Sequence, residues 1–142
     1  MGPTQHQDVA AATALALPGV TRTWPFGPEH DVFKVRAKVF CMTTEVMGTP
    51  LVTLKCAPDD GEALRQELET VTAGYHMNKR HWISLAAGPG ITPDLVEELV
   101  LEAYALVVAA LPRRLRPIDL DDTERFRTGL SELIDGRPPA GG

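Results

Sequence analysis

The side chains best suited to chemistry in this sequence are two cysteines and two histidines. Cys41 and Cys56 lie within apolar runs, and His76 and His81 lie in a polar stretch near the middle of the chain. Thiolates and imidazoles bind zinc, and a thiolate beside an imidazole can act as a nucleophile. Their spacing does not support either role, because the sequence contains no Cys-x-x-Cys and no His-x-x-x-His. We therefore predict no metal, no cofactor and no catalytic residues, and a metal or thiol enzyme is the least supported hypothesis.

Two short stretches are rich in cations and hydrogen-bond donors and could bind a polyanion. They contain Lys34, Arg36 and Lys38 in the first, and His76, Asn78, Lys79, Arg80 and His81 in the second. Residues 20–56 hold five basic residues against three acidic ones, and residues 72–91 hold two basic residues and no acidic one. The equally simple interpretation is that these charges only solvate a strand face and a loop.

The acidic residues are concentrated elsewhere in the chain. The net charge of the whole protein is -5, which opposes nonspecific attraction to phosphate. Residues 57–71 and residues 92–111 each carry a net charge of -4, from five acids against one base and from four acids against none. Both segments have helical spacing. The pattern therefore predicts basic strands and acidic helices, so that one sheet surface could collect the cations.

Four aromatic side chains could stack on bases. Trp24 and Phe26 lie in a proline- and glycine-rich stretch, Tyr75 lies in a loop, and Trp82 lies in an apolar run. Large aromatic residues are most often core anchors. We predict that Trp82 is in the core and that Tyr75 is the better candidate for a base contact.

The hydrophobic pattern predicts helices and strands within one α+β domain. Residue types and alternation predict an antiparallel meander over residues 31–36, 38–44 and 51–56, and a further strand over residues 81–87. Helices are predicted over residues 6–17, from an N-cap at Asp59 to Gly74, and from Thr92 to Pro112. The fold class is therefore an antiparallel sheet packed with helices.

The faces of the first two predicted strands differ in polarity. A period of two places Lys34 and Arg36 on one face of the first strand, with Phe33 and Val35 on the other. The second strand is largely apolar on both faces, which predicts a central position in the sheet.

The ends of the chain bear on its location and domain organisation. The first ten residues lack the basic and apolar regions of an export signal, and the longest uncharged apolar stretch, residues 103–111, is too short to span a membrane. We expect a soluble cytoplasmic protein. Residues 1–117 are predicted to form a single domain. Residues 118–142 form a charged extension, in which Leu130, Leu133 and Ile134 could mark one short helix before a flexible tail.

Several short motifs resemble the YjbR/MmcQ-like family of small bacterial proteins, in the same order. They are Leu17-Pro-Gly-Val20, Pro25-Phe-Gly27, Val32-Phe-Lys-Val35, Lys38-Val-Phe40, Tyr75-His-Met-Asn-Lys79 followed by Trp82, and a last helix containing Tyr104. The resemblance covers residues 17–111 and implies an α+β, CyaY-like or YjbR-like fold with a double-wing DNA-binding motif. The sequence departs from the family at Ala37, where a hairpin glycine is usual, and at Ala103, where a serine is common.

The resemblance makes nonenzymatic DNA binding, of modest and salt-sensitive affinity, our leading hypothesis. In this hypothesis Lys34, Arg36, Lys38, Lys79 and Arg80 contact phosphates, while Tyr75 or Asn78 approaches bases and His76 lies beside them. The alternative is a protein- or small-ligand-binding module in which the basic residues serve solubility. Convergence of the cations on the folded surface decides between the two.

Overall fold

The structure, a computed structural model, describes residues 2–74 and 77–118, which are called the described residues below. Its elements in chain order are α1 (Gln5–Leu15), β1 (Val20–Thr23), β2 (Asp31–Val35), β3 (Lys38–Val46), β4 (Thr49–Lys55), α2 (Pro58–Glu67), β5 (Val71–Ala73), β6 (Trp82–Leu85), α3 (Pro93–Ala110) and a 3₁₀ turn (Arg113–Leu115). The short helix suggested near Leu130 to Ile134 lies outside the described residues.

The six strands form one antiparallel sheet in the order β1-β2-β3-β4-β6-β5. This confirms the predicted meander of β2, β3 and β4, the central position of β3 and the α+β class. The sequence did not predict β1 or β5. These strands have four and three residues and lie at the two edges of the sheet, where alternation is too brief to give a signal.

The start and end of α2 differ from the prediction. Its N-cap is Ala57 rather than Asp59, and Pro58 occupies the first turn, where proline needs no N–H partner. The helix ends at Glu67, well before Gly74, because Leu68 has an extended backbone and the chain then turns into β5. The acids of its first turn, Asp59 and Asp60, lie where the helix dipole favours them.

The hydrophobic core lies between one face of the sheet and the three helices. Phe33, Phe40, Leu54 and Ile83 from the sheet join the same buried cluster as Tyr104 of α3. Phe33 pairs with Cys41 and Lys34 pairs with Val39, so Phe40 is the extra residue of a β-bulge in β3. The bulge allows the consecutive residues Phe40 and Cys41 both to join the core. We call this side of the sheet the helix face and the other side the open face.

Tyr104 joins α3 to the start of β1. Its side chain is fully buried, its ring meets Phe40 edge-on with centroids 5.6 Å apart, and its hydroxyl donates to the carbonyl oxygen of Pro18 at 2.6 Å. Burial raises the pKa of Tyr104 to about 12, although the nearby Arg36 opposes the shift. The phenol therefore stays protonated and can donate throughout the neutral range.

The first helix is fixed to the β3–β4 hairpin by two polar side chains. His6 is fully buried, and its Nε2 lies 3.0 Å from the carbonyl oxygen of Pro50. Gln7 donates to the carbonyl oxygens of Thr44 and Leu51. These bonds satisfy strand carbonyls at the end of the sheet where β3 turns into β4.

No helix among residues 2–74 and 77–118 combines the length and apolar character that crossing a membrane would require.

Candidate polyanion-binding site

One end of the sheet gathers most of the described cations. Because neighbouring strands are antiparallel, β2, β4 and β5 finish at the same end at which β3 and β6 begin. The β2–β3 turn, the last residue of β4 and the β5–β6 connection therefore lie side by side. We call this the basic end, and it includes Lys34, Arg36, Lys38, Lys55, Lys79 and Arg80.

The segment after α3 adds further arginines to the basic end. The Nε of Arg36 donates to the carbonyl oxygen of Leu115 at 2.8 Å, which places the 3₁₀ turn against the β2–β3 hairpin. Arg113 and Arg114 belong to that turn. Arg116 follows it and donates to the carbonyl oxygens of Leu111 and Ala109, which caps the end of α3.

The prediction that Lys34 and Arg36 share a strand face is wrong. β2 ends at Val35, and Arg36 is the first residue of a two-residue turn in which Arg36 and Ala37 have φ of 49° and 65°. The left-handed backbone turns the Arg36 side chain toward Leu115, on the side of the helices. Lys34 instead points to the open face, because it alternates with the buried Phe33 and Val35.

The β2–β3 turn keeps the two-residue hairpin geometry without a glycine. Both of its residues have positive φ, as a type I′ turn requires. Neither residue is the glycine that this backbone favours, and each non-glycine residue there costs about 1 to 2 kcal/mol. Lys38 follows the turn, is exposed and pairs with Val35 in the register. The alanine at position 37 therefore does not prevent the hairpin from projecting its cations.

The second predicted basic stretch also lies at the basic end. Lys79 and Arg80 are exposed in a turn whose ends are fixed by hydrogen bonds from the backbone N–H of His81 to the carbonyl of Asn78 and from Cys56 N–H to the carbonyl of His81. The Oδ1 of Asn78 accepts from the backbone N–H of Arg80 at 2.9 Å, so this side chain shapes the turn. Tyr75 and His76 lie outside the described residues.

Five cations of the basic end are not paired with described carboxylates. Lys34, Lys38, Lys55, Lys79 and Arg80 form no ion pair with an acid of the described residues. By contrast, Arg22 pairs with Phe33 in the register and approaches Asp31 within 3.9 Å. Of the cations predicted from the sequence, Lys34, Lys38, Lys79 and Arg80 are thus without an ion pair to a described acid, whereas Arg36 donates to the backbone of Leu115.

Several of the described carboxylates lie toward the other end of the molecule, which we call the far end. It is formed by the β1–β2 loop, the β3–β4 turn and the starts of β5 and α3. Acids in these segments are Glu29, Asp31, Glu45, Glu69 and Asp94. At the basic end, Asp59 and Asp60 begin α2. The separation of charge along the strand axis is therefore partial, because Asp60 and Glu102 act on the Cys56 thiol, which directly follows Lys55.

Lys55 and the arginines after α3 were not among the predicted site residues. Lys55 is the last residue of β4, beside β6, and Arg113 and Arg114 follow α3. The strand order of the sheet, rather than any motif, places these residues near the predicted cations. In a meander the end of every second strand meets the same edge, so a cation that closes β4 lies near one that closes β2. That inference needs the strand order, which residue spacing alone did not supply.

Trp82 is not in the core, contrary to the prediction. It is half-buried and lies on the open face, since it alternates with the buried Ile83 of the helix face. Its cross-strand partner is Lys55. The apolar run of β6 was correctly identified as a strand, but a strand pattern does not show which of its faces a helix covers.

The cysteines are buried, as predicted. Burial raises the pKa of the Cys41 thiol to about 12. Burial also raises the pKa of the Cys56 thiol to about 11, assisted by Asp60 and Glu102 and opposed by Arg65. Thiols in this state carry little thiolate at neutral pH and are poor nucleophiles. Within the described ranges, no three His, Cys, Asp or Glu side chains are placed to hold a metal ion.

Comparisons with known proteins agree with the resemblance. A family model described as YjbR matches residues 15–106. YbdF of Escherichia coli O157:H7 is 39% identical over 122 residues, which cover 86% of this chain and 94% of YbdF. YjbR of Escherichia coli K12 is 30% identical over 104 residues, which cover 73% of this chain and 88% of YjbR.

Solved structures show the same fold. A crystal structure of a protein from Deinococcus radiodurans matches with a TM-score of 0.71 and 30% identity, covering 81% of this chain and 88% of that one. A protein from Pseudomonas syringae matches with a TM-score of 0.59 and 20% identity, covering 75% of this chain and 98% of its own. The basic end is therefore carried by a fold that other proteins share.

Proposed function

This chain belongs to the YjbR family, and on that premise we propose that it binds nucleic acid, without catalysis, through its basic end. The observation that carries the proposal is the convergence of Lys34, Lys55, Lys79 and Arg80 from two strand ends and one turn. These cations come from separate parts of the chain and have no described carboxylate partner.

The overall acidity of the chain does not oppose this proposal. A phosphate backbone responds to the local potential, and cations within about 10 Å of each other act together at physiological salt, whereas charges farther away are screened. The far-end acids are separated from the basic end by the length of the strands. For β4, whose seven residues run from Thr49 to Lys55, that length is about 20 Å.

The predicted site residues contribute unequally. Lys79 and Arg80 are exposed at the tip of their turn, and Lys38 is exposed beside the hairpin turn, so these side chains can reach phosphates directly. Arg36 already donates to the protein backbone and has fewer donors to offer. We retain Tyr75 and His76 as proposed contacts because they precede this turn in sequence. Asn78 is proposed to act through its amide group, since its Oδ1 holds the turn.

A salt titration tests whether phosphates are bound. Each contacted phosphate contributes about 0.7 to 0.9 to the slope of log K against log salt, so four cations give a slope of about -3 to -4. Changing Lys79 and Arg80 to alanine should weaken binding and make the slope shallower by about 1.5. The measurement is fluorescence anisotropy of a labelled oligonucleotide over a range of salt concentrations.

The matched control is Arg22→Ala, which removes one cation that is not among the proposed contacts. It should leave the slope unchanged, because Arg22 already faces Asp31. If wild-type protein shows no salt-sensitive binding at low ionic strength, the proposal is wrong. Equal losses in Arg22→Ala and in the single variants Lys79→Ala and Arg80→Ala would also contradict it, since the effect would then follow net charge alone.

A second candidate function is protein binding at the far end. Phe26 is 70% exposed, and Met47, in the β3–β4 turn, is fully exposed. Exposed apolar side chains at loop tips are typical of contact surfaces. Trp24 is 50% exposed, but its indole N–H donates to Asp31 and its ring lies 5.5 Å from the Arg22 guanidinium. A protein partner that stabilises this chain thermally, while oligonucleotides do not, would favour this second function.

A further inference from the structure

The open face of the sheet carries an aromatic side chain between cations. Trp82 of β6 is half-buried and pairs across the strands with Lys55 of β4. Lys34 lies on the same face, two strands further along, and is also half-buried. Because adjacent strands are about 4.8 Å apart, the backbones at Lys34 and Lys55 are about 10 Å apart. All three side chains lie at the basic end.

The position of Trp82 is not explained by packing against a helix. The three helices pack on the helix face, and Trp82 does not belong to the core cluster that they form. A row of side chains crosses the open face on all six strands, and it consists of Thr23, Val32, Met42, Thr53, Ser84 and Thr72. In the described residues no helix covers this row.

The centre of the open face is buried, and solvent reaches only its margins. Val32, Thr53 and Ser84 are each 1% exposed, and the hydroxyls of Thr53 and Ser84 are hydrogen-bonded at 2.8 Å. Lys34 and Trp82, by contrast, keep part of their surface in solvent. The strip that contains the indole and the lysines is therefore one accessible margin of this face, and Thr72 and Thr23 lie at others.

The neighbour of Trp82 on β5 leaves room for the indole. The N–H of Gly74 donates to the carbonyl of Trp82 at 2.9 Å, and a Cβ placed on Gly74 would lie 2.5 Å from the Cβ of Trp82. Any side chain at position 74 would therefore displace Trp82. The sheet thus holds the indole between Lys55 on one side and a glycine on the other.

The chemistry of this strip distinguishes between two forms of nucleic acid. In a duplex the base faces are stacked on each other and cannot reach an indole on a sheet surface. In a single strand the faces are free, and an aromatic ring within a cationic groove binds them with little dependence on base identity. A sheet face with aromatic and basic side chains is also the surface on which single-stranded RNA is commonly recognised.

We propose that the ligand of the basic end is single-stranded nucleic acid, with Trp82 stacked on a base and Lys34 and Lys55 on the flanking phosphates. This inference rests on the proposed function and narrows it. The indole supplies contact with the bases, and the exposed cations of the β5–β6 turn extend the path of the backbone. Because stacking tolerates any base, binding is expected to depend little on sequence.

Tryptophan fluorescence tests the proposal directly, because the chain contains two tryptophans at opposite ends of the sheet. In Trp24→Phe the emission comes from Trp82 alone, and a short oligothymidylate should quench it. A duplex of the same length should cause little quenching. In Trp82→Phe the emission comes from Trp24 alone, and the oligothymidylate should leave it unchanged. Quenching by oligouridylate in place of oligothymidylate would support the proposal equally.

Affinity provides the second readout. Trp82→Leu keeps an apolar side chain but removes the ring, and it should weaken oligothymidylate binding by about 5- to 150-fold, while Trp82→Phe should retain most of the affinity. Anisotropy of the labelled strand measures both variants, and thermal unfolding shows that each is folded. The phenylalanine variant shows whether any loss comes from the missing ring or from altered packing.

The possible failures are separable. If Trp82→Leu binds as tightly as Trp82→Phe while Lys79→Ala with Arg80→Ala still weakens binding, the stacking role is wrong and the proposed function stands. Duplex binding as tight as single-strand binding, with equal quenching of Trp82, would also overturn the inference. If no oligonucleotide of either form binds at low salt, the inference and the proposed function are both wrong.

Discussion

Neutralising Lys34, Lys55, Lys79 and Arg80 together with glutamine is expected to weaken oligonucleotide binding by two to three orders of magnitude at about 0.1 M salt. The size of the effect follows from counterion release. Each contact with a single-stranded phosphate contributes about 0.7 to the salt slope, so at 0.1 M four contacts account for roughly a 600-fold increase in affinity. Glutamine keeps most of each aliphatic stem, so the loss reports charge. The measurement is the anisotropy titration used for the wild type.

A variant of the same net charge controls for general repulsion. Four exposed neutral residues away from the basic end are changed to glutamate, and they are Gln5, Ala12, Thr49 and Gln66. Both variants carry four fewer positive charges than the wild type in net terms, but only the first alters the basic end. The control should lose less than about tenfold in affinity, because its new charges are on surfaces outside the proposed contacts and salt screens them. Similar losses in the two variants would contradict a localised site.

Replacing Tyr104 by alanine is expected to lower the free energy of unfolding by about 3 to 5 kcal/mol. The substitution removes a fully buried ring from its edge contact with Phe40 and leaves a cavity between α3 and the sheet. Tyr104→Phe keeps the ring and removes only the donor to the Pro18 carbonyl, which should cost about 1 to 2 kcal/mol. Denaturant unfolding followed by circular dichroism measures both values.

The two Tyr104 variants separate packing from hydrogen bonding. The phenylalanine variant should also lose part of the wild type's dependence on alkaline pH. Burial raises the pKa of Tyr104 to about 12 from the usual 10. The contribution of the protonated phenol to the free energy of unfolding is therefore fully present below pH 10 and is lost as the pH rises toward 12. If the free energy of unfolding of Tyr104→Ala were less than about 1 kcal/mol below that of the wild type, the packing of Tyr104 would not hold α3 on the sheet.

The central part of the fold follows from sequence pattern, and its edges do not. Residues 31–56 alternate over three consecutive strands with clear turns between them, so the meander and the central position of β3 could be predicted. At the edges, β1 and β5 are too short to alternate visibly. The end of α2 was misplaced for the same reason, since β5 was included in a helical pattern that no strong breaker interrupts before Gly74.

The sequence predicted which cations gather at one end of the sheet, but not how each side chain is oriented. Lys34, Lys38, Lys79 and Arg80 do meet at one end of the sheet, but Arg36 turns to the helix side because two positive φ values end the strand before it. Lys55 was overlooked because it is isolated in sequence. Trp82 was assigned to the core because alternation gives the two faces of a strand and says nothing of which face the helices cover.

The proposed function depends on the cations of β2, β4 and the turn before β6 acting as one surface. Chemical-shift mapping tests this most directly, by following backbone amide resonances of the full chain while a short oligothymidylate is added at low salt. We expect the largest chemical-shift changes in residues 34–38, 55, 79–82 and 113–116, and we expect these changes to reverse when salt is raised. Changes spread evenly over the protein, or concentrated at Phe26 and Met47 of the far end, would contradict the proposed function.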